Sequence, residues 1–172
     1  RKWGSIMIRM ELGSSSYNIE VERGILERAS DYLNLNRKVM IVTDDGVPSV
    51  YAETFAKQCK EAYIKVIPQG EANKTLQTVE SVLQEMLDNQ FSRKDCVVAV
   101  GGGMVGDLAG VTASLYMRGI DFIQIPTTLL SPPTTLKKQR AGSCTYVQVP
   151  THILKFQITQ NLCLIFQTNF LS

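Results

Sequence analysis

Short apolar runs recur along the chain without regular polar alternation. They lie at Val39–Val42, Ile64–Ile67, Val97–Val100 and Phe122–Ile125. Runs of this kind are typical of strands that are buried on both faces, as in a parallel sheet covered by helices. We therefore predict four buried strands at these positions.

Helical periodicity separates these runs. Over Thr75–Asn89, apolar side chains recur at the i, i+3, i+4, i+7 spacing of a stripe that faces a core. The stripe comprises Leu76, Val79, Val82, Leu83, Met86 and Leu87. A second helix is predicted over Pro48–Glu61, because proline is tolerated in a first turn and three side chains follow one row. That row is Tyr51, Phe55 and Cys59.

This alternation of strands and helices predicts an α/β fold, a Rossmann-like and mainly parallel sheet flanked by helices. Ahead of it, Ile6–Leu12 and Tyr17–Val21 are rich in β-branched and apolar residues and flank a Gly-Ser-Ser-Ser segment. This arrangement predicts an N-terminal β-hairpin. We assign residues 6–130 to this α/β domain.

Residues 131–172 differ in character from the rest of the chain. Pro132-Pro133 and a cluster of three basic residues, Lys137, Lys138 and Arg140, precede a charge-poor ending. Apolar alternation around Tyr146–Val149 and Ile153–Ile158 allows edge strands, and the composition equally suits a poorly ordered segment. We treat this part as a divergent tail rather than a recognisable domain.

Charge and cysteine content exclude several classes of protein. The formal net charge of +2 in 172 residues does not indicate a nucleic-acid or membrane surface. The four cysteines form no Cys-x-x-Cys pair, which favours reduced thiols in a cytosol and core packing over metal binding. No apolar run reaches the roughly 20 residues of a membrane-spanning helix, and the basic N-terminus lacks a signal-peptide core. We expect a soluble, cytoplasmic protein without a nucleic-acid or membrane partner.

The strongest functional signal is Gly101-Gly102-Gly103, which joins a predicted strand to a predicted helix. In a doubly wound sheet, ligands bind at the carboxyl ends of the strands, and a helix start there favours phosphate. A glycine turn alone is as readily a device for ending a strand or packing a helix. The usual Gly-x-Gly-x-x-Gly pattern at the first strand is also absent, which departs from an ordinary dehydrogenase.

Three further loops should reach the same edge of the sheet. Asp44 follows a buried strand and is suited to ribose hydroxyls or, alternatively, to capping the helix at Pro48. Lys74 could reach a phosphate or carboxylate, or its loop could be only a solvated helix start with Thr75 as N-cap. Thr127 and Thr128 offer hydroxyls, or another cap. The single histidine, His152, has no second ligand at metal spacing and indicates no metal or catalytic site.

Together these segments resemble the N-terminal domain of the 3-dehydroquinate synthase family, in the order and spacing of that family. The segments that carry the resemblance are Leu12-Gly13, Tyr17–Ile19, Gly70–Thr75, Gly101–Gly110, Tyr116–Gly119 and Phe122–Leu130. They cover about three quarters of the chain. The resemblance implies a domain that binds NAD.

The resemblance also implies roles for individual residues. Asp44 would bind the adenosine ribose, and Glu71 and Lys74 would contact the cofactor. The pyrophosphate and nicotinamide side would be cradled by Gly102, Gly103, Met104, Val105, Gly106 and Asp107, and completed by Thr127 and Thr128. Arg118 would bind the substrate phosphonate of a neighbouring subunit in a homodimer. Judged from its position alone, Arg118 would be a solvated cation at a helix end.

In the family, a lyase reaction converts 3-deoxy-arabino-heptulosonate 7-phosphate to 3-dehydroquinate and phosphate, on the shikimate pathway to the aromatic amino acids. The resemblance implies that NAD is used and regenerated and that zinc acts as a Lewis acid on the small-molecule substrate. Zinc is held there by a C-terminal domain, which has no counterpart in this tail. Ser131–Lys137 also replaces a Ser-Val-Gly-Gly-Lys-Thr segment.

We therefore expect a truncated synthase that is limited to NAD binding, inactive alone, and without a catalytic residue or metal ligand that can be assigned. Two alternatives remain. The chain could be another sugar-phosphate cyclase or a metal-dependent polyol dehydrogenase, which shares the glycine and threonine loops. It could also be a non-catalytic module that pairs with an intact synthase.

Overall fold

A computed structural model describes residues 6–10, 17–21, 26–127, 144–148 and 155–157. The strands in chain order are β1 Ile6–Met10, β2 Tyr17–Val21, β3 Lys38–Asp44, β4 Glu61–Ile67, β5 Cys96–Gly101, β6 Asp121–Pro126, β7 Cys144–Gln148 and β8 Lys155–Gln157. The α-helices are α1 Ser49–Ala56, α2 Leu76–Asp88 and α3 Gly103–Leu115. The predicted order of elements is confirmed.

The strands form two sheets. β1 and β2 make the predicted antiparallel hairpin, with Ile8 opposite Ile19. The other six strands form one sheet in the order β4-β3-β5-β6-β7-β8, which is parallel except for the β7–β8 pair. The chain passes from β3 to β4 on one side and then returns to β5 on the other. The carboxyl ends of β3 and β5 therefore flank the switch point at which such sheets bind ligands.

Helices cover both faces of this sheet, as predicted. α2 and α3 pack on one face, where Met86, Leu108 and Phe122 belong to one buried cluster. α1 and a 3₁₀ turn at Leu26–Asp31 pack on the other, where Phe55 and Ile123 belong to a second cluster. Every residue of β5 is buried because this strand lies between neighbours in the sheet and between the two helical layers.

β4 contradicts the prediction of burial on both faces. Ile64 and Val66 are 38% and 55% exposed. The reason is position, since β4 is the strand at the sheet edge and has β3 as its neighbour on one side only. An apolar run does not reveal which strand will lie at an edge.

The helix α2 confirms its predicted start but narrows its apolar stripe. The hydroxyl of Thr75 accepts a hydrogen bond from the Thr78 N–H at 3.2 Å, which is the predicted N-cap. Val79, Val82 and Met86 are buried, whereas Leu76 and Leu87 are 76% and 56% exposed. At about 100° per residue, these two leucines project roughly a quarter turn away from the centre of the buried face.

The predicted helix over Pro48–Glu61 is too long at its C-terminal end. α1 ends at Ala56, and Pro48 is its N-cap rather than a first-turn residue. The chain then turns tightly, and the Lys60 N–H donates to the Leu35 carbonyl at 2.9 Å, which leads directly into β4. The sequence pattern continued through this turn because Cys59 still packs against the core on the α1 face.

Cys59 and Cys96 are free thiols, and both contact the core as predicted. Desolvation raises the pKa of each thiol to about 12.

Among the described residues, no helix is long and apolar enough to cross a membrane. In the tail, β7 and β8 are strands, and β8 alone of the two lies at an end of the sheet order, as the edge-strand alternative expects. The domain boundary at residue 130 lies outside the described residues and stays a prediction.

Candidate functional site

Loops that follow β3, β4, β5 and β6 meet at the carboxyl edge of the sheet, as predicted. Three polar contacts join them in sequence. The carboxylate of Asp45 accepts a hydrogen bond from the Gln69 N–H at 2.9 Å, and the Lys74 ammonium donates to Asp107 at 2.7 Å. The Thr127 N–H donates to the Gly101 carbonyl at 2.9 Å. Segments that are distant in the chain thus form one continuous polar rim.

The glycine turn has the geometry of an anion-binding helix start. β5 ends at Gly101, Gly102 is the N-cap, and α3 begins at Gly103. A Cβ atom on Gly101 would lie 2.6 Å from Val105 Cγ2, so this reversal of the chain requires glycine. No side chain caps the helix at Gly102. The first N–H groups of α3 are therefore available to a ligand, and the helix dipole favours a negative charge there.

Side chains at the start of α3 mostly point away from this edge. Met104 and Val105 are 8% and 0% exposed and belong to the core. Gly106 packs on the sheet, and only Asp107 reaches the polar rim. A ligand at the predicted cradle would consequently be held by backbone N–H groups, and the cradle side chains would act through packing.

Lys74 brings a positive charge to the start of α3. Its ammonium lies 2.7 Å from Asp107 and 3.8 Å from Glu71. The hydrogen bond with Asp107 raises the pKa of Lys74, and the charges of Asp107 and Glu71 act in the same direction. The loop can place Lys74 here because Gly70 adopts φ +99°, a left-handed conformation that favours glycine, before a 3₁₀ turn at Glu71–Asn73. Lys74 is therefore a cation at neutral pH.

Asp44 is oriented by its own turn. Its Oδ1 accepts a hydrogen bond from the Gly46 N–H at 2.9 Å. The alternative that Asp44 caps the helix at Pro48 is wrong, because that helix start has no side-chain cap. Beside Asp44 lies a cavity of about 410 Å³ whose walls include Val47, Ile64 and Val66. A carboxylate at the mouth of a partly apolar cavity suits a ligand with both hydroxyl groups and a ring.

The structure places Thr127 and Arg118 at opposite edges of the sheet. Thr127 lies beside the glycine turn as predicted, whereas Thr128 falls outside the described residues. Arg118 is exposed and precedes β6, so it lies at the amino edge of the sheet. The 13 residues of α3 separate the two edges by about 20 Å. The structure therefore does not bring Arg118 to the glycine turn of the same chain.

Zinc, which the resemblance implies, finds no fit in the described part of the chain. No group of three or more His, Cys, Asp or Glu side chains there could hold a metal ion. His152 and the residues around it lie outside the described segments. We derive no chemical step through zinc.

Two features of the edge were not predicted. Asp45 and Gln69 join the first two loops, and only the fold brings them together across 24 residues. Gln124 is 4% exposed, and its carboxamide lies against Gly106. The one polar residue inside the apolar run Phe122–Ile125 was the available signal for Gln124.

Known proteins resemble this chain in its N-terminal part. Residues 64–134 match the family described as 3-dehydroquinate synthase N-terminal. The 3-dehydroquinate synthase of Desulforamulus reducens is 44% identical over 131 residues, which are 72% of this chain and 36% of that protein. The Streptococcus pneumoniae enzyme is 43% identical over 129 residues, 71% of this chain and 36% of its own. The chain thus spans about a third of the length of these relatives.

Solved structures give the same result. A 2-deoxy-scyllo-inosose synthase with bound carbaglucose-6-phosphate, NAD⁺ and Co²⁺ matches with TM-score 0.68 and 26% identity, over 91% of this chain and 43% of that one. ValA, a 2-epi-5-epi-valiolone synthase from Streptomyces hygroscopicus with NAD⁺ and Zn²⁺ bound, matches with TM-score 0.57 and 32% identity, over 70% and 35% of the two chains. These matches confirm the predicted resemblance and the α/β fold.

Proposed function

We propose that this chain, which is related in sequence to the N-terminal domain of 3-dehydroquinate synthase, binds NAD at the carboxyl edge of its sheet. The observation that carries the proposal is the uncapped start of α3 with the Lys74 cation beside it. Both offer hydrogen-bond donors to a pyrophosphate, the N–H groups of α3 and the ammonium of Lys74. Relatives that share the fold have been solved with NAD⁺ bound.

We propose a counterpart at this edge for each of three parts of the cofactor. The N–H groups at Gly103 and Met104 would bind the pyrophosphate, and Lys74 would neutralise its charge. Asp44 would accept hydrogen bonds from the adenosine ribose, next to the cavity that β4 helps to line. Thr127 and Asp107 would contact the nicotinamide side. Bound NAD would supply a hydride acceptor and return the hydride later in the same reaction cycle.

The full synthase reaction is a wider proposal. We propose that the chain contributes the NAD half of the conversion of 3-deoxy-arabino-heptulosonate 7-phosphate to 3-dehydroquinate and phosphate. The support is the identity of 44% with a curated synthase, of which this chain covers 36%. We further propose that the isolated chain binds NAD without releasing phosphate from this substrate, and that Arg118 acts on a neighbouring subunit.

Calorimetric titration of the purified chain with NAD tests the first proposal. We expect saturable binding with one NAD per chain, and no binding at millimolar NAD would contradict it. Incubation with zinc, NAD and the heptulosonate phosphate tests the second, since measurable phosphate release by the chain alone would overturn it. Sedimentation velocity at several concentrations then shows whether the chain self-associates, as the role of Arg118 requires.

A second candidate is a sugar-phosphate cyclase with another substrate. It is favoured by the match to 2-deoxy-scyllo-inosose synthase, whose structure contains carbaglucose-6-phosphate. Both sugar phosphates can be titrated into the NAD-saturated chain, and tighter binding of the heptulosonate phosphate than of carbaglucose-6-phosphate would favour the first candidate. The reverse order of affinities would favour the second.

A further inference from the structure

Gln124 is a buried polar side chain that lies against α3. It lies on β6, is 4% exposed, and is paired with Ala99 of the neighbouring strand β5. Within the described residues, its Oε1 is buried and has no hydrogen-bond partner. A buried carbonyl oxygen without a donor costs free energy that an apolar side chain of similar size would avoid. Core stability alone therefore does not explain glutamine at this position.

The carboxamide of Gln124 fits against a glycine of α3. A Cβ atom on Gly106 would clash with Nε2 of Gln124 and would lie 2.9 Å from its Cδ. The side chain is almost fully buried where α3 packs on β6. Gly106 and Gln124 are thus matched in size, with a flat amide filling the place that a methyl group would take.

This contact lies directly behind the glycine turn. The Gly106 N–H donates to the Gly102 carbonyl at 3.0 Å, which closes the first turn of α3. A change in the distance between Gly106 and β6 would consequently shift the first N–H groups of the helix. A shift of this kind affects ligand binding because N–H donors act over a narrow range of distance and angle.

We propose that Gln124 is a positioning residue for the cofactor site: its carboxamide, packed on Gly106, sets the approach of α3 to the sheet and thereby the position of the N–H groups at Gly103 and Met104. This inference rests on the proposed NAD site. Gln124 would therefore affect NAD binding although it is buried and acts only through α3.

The test compares substitutions that disturb the same strand on its two faces. Gln124→Ala empties the space behind Gly106, and Ile123→Ala is the matched control, because Ile123 is 1% exposed and packs on the opposite face. We expect Q124A to weaken NAD binding about tenfold and I123A to change it by less than about twofold, at a temperature where circular dichroism shows both fully folded. Equal weakening by the two variants, or no effect of Q124A, overturns the inference.

A second pair of variants tests the size match directly. Gly106→Ala should weaken NAD binding about tenfold in the natural background, since the new methyl group meets the Gln124 amide. In the Q124A background the same change should cost less than about threefold, because the space is empty. Equal costs in both backgrounds contradict the proposed contact. If Q124A does not fold, Gln124→Val replaces it, because valine suits a strand and also lacks the atoms that lie against Gly106. NAD binding by Q124V equal to that of the natural chain then overturns the inference.

The two proposals fail in different ways. If the natural chain binds no NAD, the cofactor site is wrong and the role of Gln124 falls with it. If the natural chain binds NAD and Q124A binds it equally well, only the role of Gln124 is wrong.

Discussion

The central sheet has an amino edge and a carboxyl edge, where its parallel strands begin and end, and the two edges use polar residues in opposite ways. At the amino edge, the Asp95 carboxylate accepts hydrogen bonds from the Lys38 N–H at 2.9 Å and from the N–H and hydroxyl of Ser92 at 2.6 and 2.8 Å. Arg37 pairs there with Asp121, although its buried Nε has no hydrogen-bond partner within the described residues. At the carboxyl edge, glycines leave N–H groups open and one exposed cation stands beside them. One edge is closed by its own side chains, and the other is prepared for a ligand.

The difference shows that a charged residue at the end of a strand can serve either the stability of the fold or the binding of a ligand. Asp95 is 7% exposed, and its hydrogen bonds hold a loop and the first residue of β3 together. Asp107 is 22% exposed and orients a lysine that is itself 40% exposed. We therefore expect changes at the amino edge to affect the free energy of unfolding, and changes at the carboxyl edge to affect NAD affinity.

The largest effect should follow from Asp95→Ala. Removing this carboxylate leaves three donors without their partner, and we expect a loss of about 3 kcal/mol in the free energy of unfolding. NAD affinity of the folded variant should stay within about twofold of the natural chain. Urea unfolding and calorimetry measure the two quantities. Asp107→Ala is the matched change at the other edge, and a larger stability loss for D107A than for D95A would break the comparison.

Gly101→Ala should lower both the free energy of unfolding and the affinity for NAD. The new Cβ atom would lie 2.6 Å from Val105 Cγ2, so the start of α3 must move, at a cost of about 2 kcal/mol in stability. We expect NAD binding to weaken about tenfold. Gly119→Ala at the amino edge, where φ is +113°, serves as the control and should cost stability alone. Unchanged NAD affinity in G101A would show that the turn does not hold the cofactor.

Lys74→Ala should separate affinity from stability. The ion pair is partly exposed, so its loss should change the free energy of unfolding by less than about 1 kcal/mol. NAD binding should weaken about fivefold, and less so at high salt. Lys65→Ala provides the control, because Lys65 lies 2.8 Å from Glu85 with side-chain exposures of 29% and 31%. If K65A weakens NAD binding as much as K74A does, the proposed role of Lys74 is wrong.

The smallest effect is expected for Arg118→Ala. Arg118 lies exposed at the amino edge, away from the glycine turn of its own chain. NAD affinity should remain within about twofold, and the free energy of unfolding within about 0.5 kcal/mol. Calorimetry that shows a clear loss of NAD affinity in R118A would place this arginine at the cofactor site after all.

Much of the fold could be predicted because its signals are local. The periodicity of α2, the N-cap at Thr75 and the glycine turn before α3 each depend on a few neighbouring residues. Predictions failed where the outcome depended on a distant partner. The burial of Ile64 and Val66 was wrong because it depends on where β4 lies in the sheet. The length of α1 was wrong because the turn after it is held by the hydrogen bond from Lys60 to the distant Leu35.

The sequence by itself determined the order of strands and helices, the glycine turn and the resemblance that suggested NAD. Only the tertiary structure joined Lys74 to Asp107 across 33 residues, placed Gln124 against Gly106, and put Arg118 at the opposite edge. The physical reason is that side-chain periodicity records which face a residue presents, whereas strand order and helix approach decide what that face meets. The proposed binding of NAD depends on these contacts between residues that are distant in the sequence.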